Sequence, residues 1–319
     1  MARILAIGGA HLDRKGWLAA PHRAGASNPG HWETEAGGGV FNAARNLARL
    51  GHQVALVAPR GGDAAADLVA RAAQAAGIED CPLTFLDRAT PSYSAILEPD
   101  GNLVTALADM TLYDLVPARR LLTSRLRKRL AAADLLLVDS NLPESALSAL
   151  ADAAANLGLP LAVIAVSPAK VVRWRPSLAR IACLAMNAAE AQALTGEQAA
   201  EPAQWPHLLA RAGLRGGLVS AGAGPVAGFA GDQACVVLPP RLDQLADVVG
   251  AGDALAAGYL DGMLEGGSIA ANLLRGVALA RLTAGTRGPV LPDLTRAMLA
   301  QAVADMPKPH HTPVQERHA

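Results

Sequence analysis

The chain has 319 residues, with 28 basic and 28 acidic side chains, 51% hydrophobic residues and 3% aromatics. At roughly 150 residues per domain this allows about two domains or one large α/β domain, and so much apolar side chain excludes a wholly disordered polypeptide. A formal net charge of zero removes the electrostatic footprint of a nucleic-acid or anionic-membrane binder.

The first apolar stretch, residues 4–10, is too short for a secretory leader. No run approaches the roughly 18 apolar residues of a membrane helix. Cys81, Cys183 and Cys235 lie far apart without metal-ligand spacing and read as buried small hydrophobes. A cytoplasmic, membrane-free protein is the expectation.

In chain order, residues 3–8 read as a buried strand followed by glycines. Residues 42–50 read as a helix stopped by Gly51, a typical C-terminal glycine. A strand at 54–58 follows, then a helix capped by Asp63 and closed by Gly77. Further strands are expected at 135–139, 161–166, 181–186 and 217–220, separated by helices at 144–156, 188–195 and 206–212. Short apolar strands alternating with helices argue for βαβ units, hence a mostly parallel sheet covered on both faces.

Two segments break this rhythm. Residues 16–36 are rich in Gly, Pro, Ser, Asn and His, too polar for a core element. Residues 91–109 read as strand, turn, strand, with Pro99-Asp100-Gly101 as the turn. Segments of about 11–36 and 90–110 are therefore expected to form a small β-lid on a domain of residues 1–306. The tail, 307–319, is expected to be disordered.

The strongest chemical signal is Asp247-Val248-Val249-Gly250-Ala251-Gly252-Asp253, opening a helical run at 254–265. Its glycines let successive N–H groups converge at a helix N-terminus, where the dipole favours an anion. Asp253 would repel an anion that merely rested there. It makes sense if it takes the proton of a hydroxyl attacking a phosphoryl group. Taken alone, the segment is equally a strand-to-helix turn. The second signal is Glu35-Ala36-Gly37-Gly38-Gly39-Val40-Phe41-Asn42. Gly38 and Gly39 permit close backbone approach, and Asn42 offers a donor and an acceptor to sugar hydroxyls; alone, Asn42 is also a plausible helix cap. Asp13 follows the first strand, where ligands gather in open α/β sheets. The P-loop, dinucleotide, nucleophile-elbow and zinc-protease signatures are absent.

Together and in this order, the segments at 37–51 and 247–253 resemble the two signatures of the ribokinase-like (phosphofructokinase B-type) sugar and nucleoside kinases, as does Asn187-Ala188-Ala189-Glu190. Finer features resemble the pseudouridine kinases of that family: Ser27-Asn28-Pro29-Gly30, the hairpin from Thr90 to Met110, and Asp139-Ser140-Asn141. The resemblance implies a three-layer α/β/α domain with a β-lid, MgATP as phosphoryl donor and a homodimer formed through the lid. It implies Asp253 as catalytic base and Gly250, Ala251 and Gly252 as anion hole. Asp13, Gly38, Gly39 and Asn42 would hold ribose hydroxyls, with Asn28, Ser94, Asn141 and Lys170 around the base. Asn187, Glu190, Ser220 and Gly222 would lie along ATP, Glu190 reaching Mg2+ through water. Asp247 would sit at a monovalent-cation (K+) site. A kinase of another ribonucleoside or of free ribose, and a non-catalytic sugar or nucleoside sensor, remain as alternatives.

Overall fold

The computed structural model of the chain describes residues 1–242, 244–307 and 310–313. Its first strand, Arg3–Ile7, lies inside a ten-stranded sheet, parallel to Gln53–Val57 on one side and to Leu135–Asp139 on the other. Leu161–Ile164, Cys183–Asn187 and Gly216–Ser220 follow outward, all parallel. Glu79–Asp80 closes the opposite edge. Helices including Gly39–Arg49, Ala64–Ala75, Ser124–Ala132, Glu144–Asn156 and Ala188–Thr195 provide the crossovers that parallel pairing requires. Val226–Ala230 and Gln233–Val237 then extend the sheet antiparallel.

Successive residues of a strand point to opposite faces. Ile4, Ala6, Leu135 and Leu137 accordingly join one apolar cluster, with side chains of the helices Gly39–Arg49, Ala251–Leu264 and Ile269–Ala284. Leu5, Ile7, Leu136 and Val138 join another, with Glu144–Asn156 and Ala188–Thr195. Three layers result, and burial on both faces is why these strands read as unbroken apolar runs. Cys183 and Cys235 are buried, and all three cysteines are free. No helix among the described residues is long and apolar enough to cross a membrane.

From Arg3–Ile7 the chain moves outward to Gln53–Val57 and Glu79–Asp80, then returns on the other side to Leu135–Asp139. Strand order therefore reverses between Arg3–Ile7 and Leu135–Asp139, and the crevice at their C-terminal ends is where open α/β sheets take ligands.

The lid is a separate four-stranded sheet in the order Gly30–Gly37, His11–Leu18, Ser92–Leu97, Leu103–Asp109. The hairpin expected from Pro-Asp-Gly is present, with Gly101 at φ 89°. The lid segment expected over about 11–36 supplies two full strands, His11–Leu18 and Gly30–Gly37. Gly30–Gly37 is exposed over most of its length and His11–Leu18 is half-buried over most of its own, so both can be polar and show none of the apolar run that marks the core strands. Two expectations change. Asn42 does not cap its helix, which begins at Gly39 with Gly38 at the N-cap. In the tail expected to be disordered, His310–Pro313 pairs with Gln233–Val237; residues 308, 309 and 314–319 lie outside the described residues.

Asp63 joins core to lid. Its carboxylate accepts from Ala66 N at 2.9 Å, capping Ala64–Ala75, and from Thr90 N and Oγ1 at 2.8 and 2.6 Å, where the hairpin begins. Asp63→Ala is expected to lower the unfolding free energy in urea by ~1–2 kcal/mol. Thr295→Ala, which removes a cap bond to Met298 N alone, should cost less. Equal costs for the two variants would refute the link to the lid.

Candidate active site

Two glycine turns meet at the crevice. Gly38 has φ 117°, and a Cβ there would stand 2.3 Å from the Gly9 carbonyl oxygen. Gly250, at φ 77°, caps the helix Ala251–Leu264, and a Cβ would stand 2.1 Å from the Pro289 oxygen. Both positions exclude an L side chain twice over, by conformation and by space. Gly252 differs: a Cβ there would meet nothing within 4 Å, although alanine is the better helix former. Nothing in the folded chain calls for glycine at this position, and the space above the first helical turn is left free.

Asp253 lies in that turn. Its Oδ2 accepts from Asn42 Nδ2 at 2.8 Å. Asn42 Oδ1 in turn accepts from Arg45 Nη2 at 2.5 Å, and the same nitrogen donates to the Ala36 carbonyl at 2.9 Å. A guanidinium only donates, so Arg45 fixes the Asn42 amide with its oxygen inward and its NH2 toward Asp253. Burial pushes the Asp253 carboxyl up to about 7, against the pull of the Asn42 bond, with Asp139 and Asp13 adding to the rise and Arg45 opposing it. Burial likewise lowers the Arg45 guanidinium to about 10. A carboxylate poised near neutrality is suited to accept a proton from an alcohol.

Asp13 stands on the strand His11–Leu18 rather than in a loop. Its Oδ1 is 3.3 Å from His11 Nε2, and His11 Nδ1 is 3.1 Å from the hydroxyl of Tyr113, a fully buried residue. Two positions along the strand, Lys15 Nζ reaches Asp247 Oδ2 at 3.0 Å and Glu35 Oε1 at 3.6 Å. Asp247 also accepts from Val249 N at 3.0 Å. Its Oδ2 is thus engaged by a lysine and its Oδ1 by an amide. The link ties the lid to the turn before the helix Ala251–Leu264.

Asp139, fully buried, accepts from Gly9 N at 2.8 Å and from Asn141 N and Nδ2 at 3.0 and 2.9 Å. Asn141 Oδ1 accepts from Lys170 Nζ at 2.6 Å. Burial lowers the Lys170 ammonium, with Asp139 pulling the other way. Asn141 and Lys170 therefore reach the crevice as one unit through Asp139.

Asn187 and Ser220 are register partners at the C-terminal ends of adjacent strands, and Gly222 lies just beyond at φ 58°. The helix Ala251–Leu264 packs against Cys183–Asn187, so these residues extend the crevice along the sheet. Asn187 and Glu190 form a reciprocal capping box, Glu190 N donating to Asn187 Oδ1 at 2.9 Å and Asn187 N to Glu190 Oε2 at 2.7 Å. Their first role is to start a helix. Among the described residues no cluster of three or more His, Cys, Asp or Glu side chains could hold a metal ion.

Two expected site residues are not brought here. Asn28 is half-buried and bonds its own loop, through Arg23 and Ala26. Ser94 pairs with Arg14, whose guanidinium lies over Trp32 at 4.5 Å. By strand alternation that is the lid face opposite His11, Asp13 and Lys15. Conversely, Arg45, His11 and Tyr113 emerge only from the structure, as does the role of Asp139, which the sequence offered only as a member of the segment 139–141. Arg45 could have been suspected as an i+3 neighbour of Asn42 on one helix face; the other three act across elements.

A proton acceptor beside a helix N-terminus in a switch-point crevice is suited to phosphoryl transfer to an alcohol. The family model described as pfkB family carbohydrate kinase matches residues 1–296. The chain is 30% identical over 276 residues to the pseudouridine kinase of Escherichia coli K12, covering 82% of this chain and 84% of that protein. A carbohydrate kinase structure from Agrobacterium tumefaciens is 48% identical with a TM-score of 0.90, covering 98% of this chain and all (100%) of that one. Arabidopsis thaliana ribokinase complexed with ribose and ATP, 22% identical, superposes with a TM-score of 0.82 over 95% of this chain and 98% of its own. The chain belongs to the pfkB family of carbohydrate kinases. Its fold is ribokinase-like, and kinases of that type use ATP.

The Asp253 carboxyl binds its proton more tightly in the folded than in the unfolded chain. Wild-type stability should therefore fall as pH rises from about 4 to about 7 on its account. Asp253→Asn removes this burden: thermal melts should show the variant a few degrees more stable than wild type at pH 8 and no more stable at pH 4. A stability difference that does not change with pH would refute the raised carboxyl.

Proposed function

We propose that the chain transfers the γ-phosphoryl group of ATP to the 5′-hydroxyl of pseudouridine. The observation that carries the reading is the Asn42–Asp253 hydrogen bond at the N-terminus of the helix Ala251–Leu264, a proton acceptor beside an anion-favouring terminus. Asp13, Gly38, Gly39 and Asn42 hold the ribose hydroxyls. Asp253 accepts the hydroxyl proton as the oxygen attacks in line. The free space at Gly252 admits the transferring group, with first-turn amides around it. Asn141 and Lys170 offer an acceptor and a cation to the edge of the base, and the 30% identity to a pseudouridine kinase favours that base. Asn187, Ser220 and Gly222 line the ATP side.

Mg2+ arrives on the phosphates of ATP, as is usual for this hard cation. Glu190 fits as a water-mediated neighbour, because only its Oε2 is engaged by the capping box. When bound, the ion neutralises phosphate charge. The lid excludes water from the crevice. Its outer strand, Leu103–Asp109, leaves Leu103 and Leu107 57% and 71% exposed, an unprotected apolar edge suited to a second copy of the chain. A cytoplasmic setting agrees with the use of ATP.

Product masses from a panel of pseudouridine, uridine, adenosine and ribose test the acceptor. Pseudouridine 5′-phosphate should dominate, and turnover of ribose alone would reject the assignment. Asp253→Asn should lose roughly 10²–10⁴-fold in kcat with acceptor binding retained; a near-normal rate would remove its role as base. In wild type, kcat/KM should climb with pH to a plateau above about 7, where Asp253 is ionised. Gly252→Ala should melt no lower than wild type, yet lose kcat by roughly tenfold or more.

A further inference from the structure

Val166 is the one non-glycine residue with positive φ among the described residues, at 71°. Ser167 N donates to the Ala165 carbonyl at 2.9 Å, so Val166 is the middle residue of a γ-turn of the strained, positive-φ kind. A β-branched side chain makes that conformation costlier still. The turn is also why the strand expected over 161–166 ends at Ile164.

Packing does not account for this strain, because Val166 remains 39% exposed. Its Cγ2 lies 3.8 Å from the point where Gly39 would carry a Cβ, and that same point is 3.3 Å from Asp253 Oδ1. An apolar side chain is thus held open to the crevice beside the proton acceptor. Glycine would take the turn without strain. Strain retained by a residue that gains little from burial is the kind found at functional sites.

We propose that Val166 is the apolar wall of the acceptor pocket, seating the carbon that bears the reacting hydroxyl and keeping water from the open side of Asp253. The inference deepens the kinase reading above and rests on it. An alcohol and a water molecule present the same oxygen to a carboxylate, and only the alcohol carries a carbon behind it. A methyl-lined wall at that position favours the alcohol by contact and disfavours water by leaving its second O–H without an acceptor. The wall therefore selects transfer over hydrolysis.

The test compares wild type, Val166→Ala and Val166→Gly in the full chain, by thermal melting, acceptor kcat/KM, and ATP hydrolysis without acceptor. Val166→Gly should melt at or above the wild-type temperature. Its kcat/KM for the acceptor should fall by roughly tenfold or more, the scale of methyl contacts in an apolar pocket. Its ratio of hydrolysis to transfer should rise by a similar factor, with Val166→Ala between. Unchanged kcat/KM and partitioning in Val166→Gly would overturn the proposal alone. A marked drop in its melting temperature would also overturn it, since the methyl groups would then serve the fold. A wild type that phosphorylates no alcohol overturns this inference together with the kinase reading. If wild type prefers a free sugar, the same comparison is read on that sugar.

Discussion

The hydrogen bond between Asn42 and Asp253 joins residues 211 positions apart, and the surrounding structure is arranged to keep it short and largely dry. Each partner lies near the start of a helix, and each helix follows a turn that only glycine can form. Arg45 settles which end of the Asn42 amide faces the carboxylate. The same burial that raises the Asp253 carboxyl to about 7 leaves it able to exchange its proton near neutrality. A more exposed carboxylate would be a weaker base, and a fully enclosed one could not reach a substrate.

Charge around this bond is balanced locally. Asp13, Asp139, Asp247 and Asp253 all approach the crevice, countered by Lys15, Arg45 and Lys170 at separate points. Each cation contacts a different group: Lys15 meets Asp247, Arg45 meets Asn42, and Lys170 meets Asn141. Asp247 and Asp253 differ in protonation behaviour. Burial raises Asp253, while the bonds from Val249 and Lys15 outweigh burial at Asp247 and hold it below the usual range. The overall neutrality of the chain carries no trace of this arrangement.

The central core strands were legible because both faces are buried, so their inner positions are apolar and polar residues such as Arg3, Gln53, Asp139 and Asn187 stand only at their ends. The glycine turns were legible because the backbone itself needs them. His11–Leu18 was not, since a strand that lines a wet crevice has polar residues where pattern reading looks for apolar ones. Asn187 and Glu190 show how one pattern carries two meanings: Asn-x-x-Glu before a helix is a capping box on local grounds, whatever ligand it later meets. His11 and Tyr113 were invisible for a different reason. Their contact joins the first lid strand to the short helix Thr111–Asp114, and neither segment alone implies the other.

The lid is built from two separate excursions of the chain. Their only strand pairing, His11–Leu18 with Ser92–Leu97, is parallel and joins positions roughly eighty residues apart. Between them lie two strands of the main sheet and the helix Ala64–Ala75, so pairing the two halves closes a long loop, which is a slow and entropically costly contact to make. In the ribosome-bound chain, the first excursion would wait as an unpaired polar hairpin until the second emerges. Its low apolar content, which obscured it as a strand, also limits aggregation during that wait. Exchange of either excursion for a foreign one would have to preserve the register of this junction, so the two halves are constrained to diverge together.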